Sequence, residues 1–347
     1  MAPTGDPLEA AARARLDRGA FDFFAGGSGA ERTIASNKAA WEEVALRPRV
    51  LRDVSATRTE TTVLGARVAL PVLAAPVGFL RHAHPDGERA WAAGIAAAGT
   101  LAVLSSRTST PIADVAGAIG QAPWWMQVYV LRDRGLTTEL VRRATAAGAS
   151  ALVLTGDTPR VARKGRADGA GLAIPPDWFL PDLPGDLRED PRAIQDDAVT
   201  FSDVEGLCEA TGLPVLVKGV LRGDDARASL DAGAAGVIVS NHGGRQLDGA
   251  VATARALAEV AEAVAGRAEL YVDGGVRTGV DVLRALALGA RAALVGRPLV
   301  WALATGGAAG VRARLEGLRA EVEEALALSG ATTPEDAGRD LVRSSGH

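Results

Sequence analysis

The sequence predicts a TIM (β/α)8 barrel, an α/β fold in which eight parallel strands close around a packed interior. Three observations predict it. From residue 70 onward, short apolar runs alternate with Ala-rich helical segments, the pattern of a parallel sheet with crossover helices. The apolar runs number eight. The stretch they occupy, 70–310, is about the 250 residues such a barrel takes.

Taken in order, residues 1–50 read as a helical segment covering one end of the barrel, with no linker setting it apart, so 1–347 reads as a single domain. The strands follow as Pro71–Val77, Leu101–Leu104, Trp125–Val130, Ala151–Thr155, Pro214–Lys218, Gly236–Ser240, Leu270–Asp273 and Ala292–Val295. Their Val, Ile and Leu content suits strands buried on both faces. Helices between them include Gly87–Ala98, Leu136–Ala147, Gly223–Ala232 and Gly279–Ala287, each ending near a capping glycine: Gly99, Gly148, Gly233 and Gly289. The segment 160–200 breaks the pattern. It carries Pro175, Pro176, Pro181, Pro184 and Pro191 among many charges, with little apolar periodicity. Following the fourth strand at the catalytic end, it is expected to be a mobile lid, with a disordered insertion as the alternative.

Composition bounds the function. In 347 residues, 48% are hydrophobic and 23% charged, which places the chain among compact globular proteins. A net charge of -4 gives no basic footprint, so nucleic acid and anionic membrane surfaces are poor partners. A small anionic substrate would need local positive charge. The one cysteine, Cys208, excludes an intrachain disulfide framework and a cysteine-cluster metal site, and its helix-like flanks, Val204–Ala210, make it a packing residue. The N-terminus lacks a signal-peptide core, and no apolar run of about 18 residues is free of charge. The expectation is a soluble, unexported, cytoplasmic protein.

Chemistry is concentrated at strand ends. The segment Ser240–Gly249, SNHGGRQLDG, directly follows the buried run ending in Val239, so His242 and Arg245 emerge where the sixth strand stops. Carboxyl ends of parallel strands carry the reactive groups of α/β proteins. Gly243 and Gly244 let the chain turn between the two side chains without obstructing a ligand. Two further loops fit a phosphate: Asp273-Gly274-Gly275-Val276-Arg277 after the seventh strand and Gly296-Arg297-Pro298 after the eighth. Phosphate-binding barrels without a flavin share that feature. The Gly-rich run Phe24–Glu31 follows no strand and is not read as a nucleotide loop.

The segment Ser240–Gly249 resembles the signature of the FMN-dependent α-hydroxy acid oxidase and dehydrogenase family, and the resemblance extends from about Phe21 to Ala309. It implies FMN as cofactor and oxidation of a 2-hydroxy acid to a 2-oxo acid. It also implies that the flavin ring and ribityl chain meet Pro76, Val77, Gly78, Ser105, Gln127, Thr155, Lys218 and Ser240, with Lys218 stabilising the reduced flavin. Asp273, Gly274, Gly275, Arg277, Gly296 and Arg297 would serve the phosphate. His242 matches the catalytic base, Asp157 the carboxylate that pairs with it, Arg245 the carboxylate clamp and Tyr129 a phenol that bonds substrate oxygen. Proton removal from Cα and from the hydroxyl both remain open. A homotetramer is implied by analogy alone. The family has a run similar to the one holding His82 and His84, and no carboxylate cluster accompanies it, so no metal is expected.

Departures from the family pattern bear on substrate. Phe23 stands where a substrate-binding tyrosine is common, Arg107 where several members carry tryptophan, and Lys164 nearest the second carboxylate-binding arginine, with Arg163 and Arg166 beside it leaving the register open. Phe23 resembles the mandelate-oxidising branch, which implies an aryl or other bulky 2-hydroxy acid. Two alternatives stay in view: an FMN-using barrel isomerase, and a diverged member tailoring a peptide- or carrier-bound acid, to which Arg107, Trp124 and Trp125 could contribute. For the two tryptophans a packing role is favoured, since one of two adjacent strand residues faces the helices.

Overall fold

The computed structural model describes residues 6–166 and 172–343. A hairpin of β1 (Thr61–Val63) and β2 (Ala66–Val68) precedes eight parallel strands: β3 (Val72–Ala74), β4 (Ala102–Ser105), β5 (Trp124–Val128), β6 (Ala151–Thr155), β7 (Val215–Val220), β8 (Gly236–Val239), β9 (Glu269–Val272) and β10 (Ala292–Val295). They close in sequence order, β10 pairing with β3, as the (β/α)8 prediction requires. The first strand is shorter than expected. After Ala75 donates to the Val295 carbonyl, Pro76 has no N–H to continue the ladder.

The N-terminal segment forms α1 (Pro7–Arg15), α2 (Arg18–Ala25) and α3 (Arg32–Glu42). Asp6 and Asp17 cap the first two, accepting from the amides of Leu8 at 3.0 Å and Ala20 at 2.8 Å. These helices lie against the carboxyl end of the barrel: Trp41 donates its indole N–H to the Gly274 carbonyl at 2.8 Å, and Asp248 accepts from the amides of Ala30 and Thr33 at the start of α3.

The outer helices are α4 (Gly87–Ala97), α5 (Ile112–Ile119), α6 (Arg134–Ala146), α7 (Ser202–Thr211), α8 (Gly223–Asp231), α9 (Thr253–Val264), α10 (Gly279–Ala287) and α11 (Arg297–Ser329). The four glycines expected to end helices all have φ between 72° and 106°, conformations that L side chains resist. The last helix runs 33 residues with a break at Gly307 and packs on α4, where Gly94 leaves no room for a Cβ beside the Ala308 carbonyl. Among the described residues no helix is long and apolar enough to cross a membrane.

Inside the barrel, Leu73, Val103, Trp125, Val153, Leu216, Ile238, Tyr271 and Leu294 form an apolar layer closed from below by Val63 and Val68 of the hairpin. Trp125 meets Tyr271 edge to face at 5.4 Å, while Trp124 joins the outer core under the helices. The tryptophan pair is therefore split between the two faces of β5, and neither lines the cavity described below.

Over the carboxyl end, the cover segment carries the short turns Pro176–Trp178 and Pro191–Ala193. It is anchored by apolar side chains: Leu180, Leu183, Leu187 and Ala193 are buried, and Arg81 lies 4.4 Å over the Trp178 ring. Those leucines stand at i, i+3 and i+7, the spacing of a helix face, yet they serve turns, because Pro181 and Pro184 between them interrupt a helix. Residues 167–171 of the predicted lid and 1–5 of the N-terminal segment lie outside the described residues.

Candidate active site

Strand alternation builds the site. Residues i and i+2 share a face, so the apolar interior layer is followed one step up by Ser105 after Val103, Gln127 after Trp125, Thr155 after Val153, Lys218 after Leu216, Ser240 after Ile238 and Asp273 after Tyr271. A polar ring thus sits on an apolar floor. Register connects its members: Ser105 is beside Gln127 and Thr155 beside Lys218 in the ladder. The Gln127 amide donates to Thr155 Oγ1 at 2.9 Å, and its carbonyl accepts from Ser105 Oγ at 3.2 Å. Above the ring is a cavity of 380 Å³, within the size range of small-molecule sites.

Lys218 is almost wholly buried. Its Nζ donates to Ser240 Oγ at 2.8 Å and stands 3.2 Å from Asp273 Oδ2. Burial works against its charge, but Asp273 and Asp157 outweigh it and hold the ammonium above its usual range. Tyr129, two residues beyond Gln127, lines the cavity, and burial, reinforced by the Asp157 charge, pushes its phenol up, so it is a neutral donor.

His242 has a left-handed backbone, φ 57°, and its amide donates to Ser240 Oγ at 3.0 Å. The ring engages Asp157 through Nδ1 at 3.0 Å, which leaves Nε2 as the nitrogen free for a ligand. Burial lowers the imidazole, so it rests neutral; Asp157 opposes that shift. Asp157 itself is pulled up by burial, but the charge and hydrogen bond of His242, with Lys218 and the Thr158 hydroxyl, hold it at about 2. The pair titrates as one unit. At rest it is a neutral ring donating Nδ1–H to a carboxylate, and only the charge part of the His242 contribution awaits protonation of the ring.

Arg245 is anchored before any ligand arrives. Its Nη1 donates to the carbonyls of Phe23 at 2.6 Å and Gly26 at 2.9 Å, at the end of α2, and its guanidinium lies 5.1 Å over the Phe23 ring. Nη2 and Nε remain for a substrate carboxylate. Lys164 lines the same cavity and donates to the Arg245 carbonyl; burial, with the charges of Arg245 and Arg297, lowers it to about 8. The register left open by the sequence is decided: Arg163 lies at a separate surface cleft, and Arg166 pairs with Glu31 at 2.8 Å. Arg107 also lines the cavity, with its guanidinium 4.7 Å over Phe179.

The flavin implied by the resemblance fits this chain. Gly274 and Gly275 have φ of 86° and 91°, and a Cβ on Gly275 would come within 2.5 Å of the Asn37 carbonyl. Among the described residues their amides, and that of Gly296 at the start of α11, bond no protein acceptor. N–H groups without protein partners, turned toward the cavity beside a helix N-terminus, are a cradle for a phosphate. Asp273 Oδ1 is likewise buried without a partner, and Pro76, Val77 and Gly78 line the same cavity, so polar and apolar surfaces await a ring-sized ligand.

Three expected contacts are reassigned by position. Ser240 is fully buried and outside the cavity lining; its hydroxyl oxygen accepts from Lys218 and from the His242 amide, which uses both of its lone pairs. Asp273 faces Lys218, and a carboxylate has no donor for an anionic phosphate. Arg297 reaches the cavity but donates to the carbonyls of Phe24, Gly243 and Gly26 at 2.9 to 3.1 Å, clamping the N-terminal segment to the catalytic loop; burial lowers it to about 9. Arg277 lines the cavity and donates to the Val276 carbonyl at 2.8 Å.

Sequence reading missed what the rest of SNHGGRQLDG does. Asn241 and Asn37 exchange amide hydrogen bonds at 2.8 Å, Gln246 donates to the carbonyls of Asp157 at 2.9 Å and Arg160 at 3.0 Å, and Asp248 caps α3. The signal was the density of side-chain amides and carboxylates in one loop, which marks backbone bracing.

A family model described as FMN-dependent dehydrogenase matches residues 12–344. The chain is 42% identical over 344 residues to an L-lactate oxidase of Nostoc sp., covering 94% of each protein, and 44% identical over 335 residues to a 4-hydroxymandelate oxidase of Amycolatopsis orientalis, covering 93% of each. A solved structure of mandelate oxidase with (S)-2-phenylpropionate superposes with a TM-score of 0.88 at 42% identity, over 97% of this chain and 96% of that one.

Proposed function

The chain belongs to the FMN-dependent dehydrogenase family, and on that premise we propose that it oxidises an aryl or other bulky (S)-2-hydroxy acid to the 2-oxo acid, with FMN as cofactor and oxygen or another acceptor completing the cycle. The observation that carries this is the convergence on one cavity of a neutral histidine backed by a carboxylate, an arginine whose free edge is held in place, and a glycine cradle for a phosphate.

When bound, FMN supplies the two-electron acceptor. Gln127, Thr155 and Ser105 would meet its ring, Lys218 would favour electron uptake with a fixed positive charge, and Gly274, Gly275, Gly296 and Arg277 would hold its phosphate. Arg245 takes the substrate carboxylate on Nη2 and Nε; because Nη1 is already committed to Phe23 and Gly26, little ordering remains to be done on binding. Lys164 adds a second cation. His242 Nε2 accepts the proton, from Cα or from the hydroxyl, and Asp157 at 3.0 Å stabilises the imidazolium that forms. Tyr129 donates to a substrate oxygen. The side chain of the acid meets Phe23, Phe79 and Phe179, an aromatic wall that supports the aryl preference, as does the likeness to mandelate oxidase.

Assembly into a homotetramer belongs to the same proposal by family analogy, and analytical ultracentrifugation tests it. The chemical proposal is tested by mixing the flavin-loaded protein anaerobically with (S)-mandelate and (S)-lactate. Bleaching of the flavin by mandelate, faster than by lactate, is expected. Faster reduction by lactate overturns the aryl preference, and no bleaching by any 2-hydroxy acid overturns the activity.

A further inference from the structure

Arg107 lines the cavity, and neither the flavin nor the carboxylate clamp gives it a partner. It follows Ser105-Ser106 at the end of β4, and its backbone is fixed: the amide donates to Ser105 Oγ at 3.1 Å, and the carbonyl accepts from the Phe79 amide at 3.0 Å. Gly78 passes so close that a Cβ added there would stand 2.9 Å from the Arg107 Cβ, so only a glycine fits beside the root of the side chain. The guanidinium is held between Phe179 of the cover, 4.7 Å from its ring centre, and Tyr129, at 5.9 Å. Nη2 donates to the Ala193 carbonyl at 3.4 Å, a long bond, and Nη1 is buried with no acceptor. No carboxylate pairs with it among the described residues. Burial lowers it only to about 10, so it remains a cation at neutral pH. A buried guanidinium with an unmet N–H and no counter-charge is costly unless a ligand brings the anion.

What links the two guanidiniums is aromatic. Arg245 lies over Phe23, Phe23 meets Phe79 at 6.2 Å, Phe79 stacks on Phe179 at 6.5 Å, and Phe179 lies under Arg107. A clamp for one carboxylate and an unpaired cation are thus joined by a wall of three rings.

Resting on the 2-hydroxy acid reading above, we propose that Arg107 binds a second anionic group at the far end of the substrate's side chain, so that the substrate is a 2-hydroxy acid carrying a carboxylate across an aromatic spacer. The oxidation leaves that distal group unchanged; it contributes binding and orientation only. A planar fork between two rings suits a carboxylate in a bidentate pair, and a lysine in its place would not reproduce the stacking.

The test compares mandelate with 4-carboxymandelate on the flavin-loaded protein, wild type, Arg107→Met and Arg107→Lys, reading kcat/KM and the affinity of the two 2-oxo products by perturbation of the oxidised flavin spectrum. Wild type should prefer the dianion roughly 10- to 100-fold, the scale of a buried charge-assisted hydrogen bond. Arg107→Met should lose that preference in rate and in product affinity, and Arg107→Lys should retain part of it; equal flavin content shows that each variant is folded. If wild type favours mandelate, or if Arg107→Met slows both acids equally and keeps their ratio, Arg107 is only a latch for the cover and the proposal fails. Mandelate oxidised without preference for the dianion refutes Arg107 alone, whereas no reduction by either acid refutes the aryl 2-hydroxy acid reading with it.

Discussion

Replacing Asp157 with Asn keeps the side chain's shape where shape is constrained, against Gly219, on which a Cβ would approach Asp157 within 2.5 Å, and removes only the charge. That charge stands 3.0 Å from His242 Nδ1. Coulomb's law at that separation, with an effective dielectric of about 20, gives about 5.5 kcal/mol for a fully formed imidazolium. The transition state carries part of that charge, so the loss should be about 2–4 kcal/mol, or roughly 30- to 1000-fold in the rate of flavin reduction. Binding should change little, because Asp157 lies behind the cavity lining. The pH dependence has a definite sign. The base must be neutral in the free enzyme, burial already lowers His242, and Asp157 opposes that lowering. Without the carboxylate the imidazole falls further, so the acidic limb of kcat/KM moves to lower pH while the plateau drops. Anaerobic stopped-flow reduction by (S)-mandelate across pH measures both. A plateau within about threefold of wild type, or an acidic limb that moves up, would refute the assignment.

Other substitutions separate the remaining roles. His242→Ala should keep FMN bound and slow its reduction by at least about 10²- to 10⁴-fold in stopped-flow; reduction at the normal rate would mean that another group takes the proton. Lys164 is held at about 8 by burial and by Arg245 and Arg297, so its cation is lost as pH rises through that value and kcat/KM should fall with it. Lys164→Arg should stay level past that point, and a wild-type profile that is flat from about pH 7 to 9 would remove Lys164 from substrate binding. Lys218→Met strips the partner from Asp273, 3.2 Å away, and leaves a buried carboxylate uncompensated. The cost should be about 3–5 kcal/mol, read as a lower Tm and reduced flavin content, and an unchanged Tm would show that the pair is not stabilising.

The strand sequence was legible because parallel strands buried on both faces must be continuously apolar: β6 and β10 fall on the predicted residues, and the other six are displaced by three residues or fewer at either end. The polar ring was legible through the resemblance to a known family, which implied Gln127, Thr155 and Lys218. In the structure each of its members follows an interior residue by two positions, and strand alternation places it on the face that points inward. The cover was read least well, since Leu180, Leu183 and Leu187, though at helical spacing, anchor turns broken by Pro181 and Pro184. The loop after β8 was half read. His242 and Arg245 stood out as chemistry, while Asn241, Gln246 and Asp248 hold contacts with residues more than 80 positions away in the chain.

By itself the sequence determined the barrel and the end of it that carries chemistry, because strand periodicity and strand-end glycines are local properties of the chain, while the family resemblance supplied most of the titratable groups expected there. Only the tertiary structure decided which of those groups touch. That Lys164 and not Arg166 faces the cavity, that Asp273 serves Lys218 and not a phosphate, that Arg297 clamps α2, and that Arg107 is left between two rings with no anion among the described residues all depend on closure of the barrel. Closure brings together residues from β4, the cover, β9 and the N-terminal helices, and the desolvation it imposes sets which charges find partners inside the protein and which are left for a ligand.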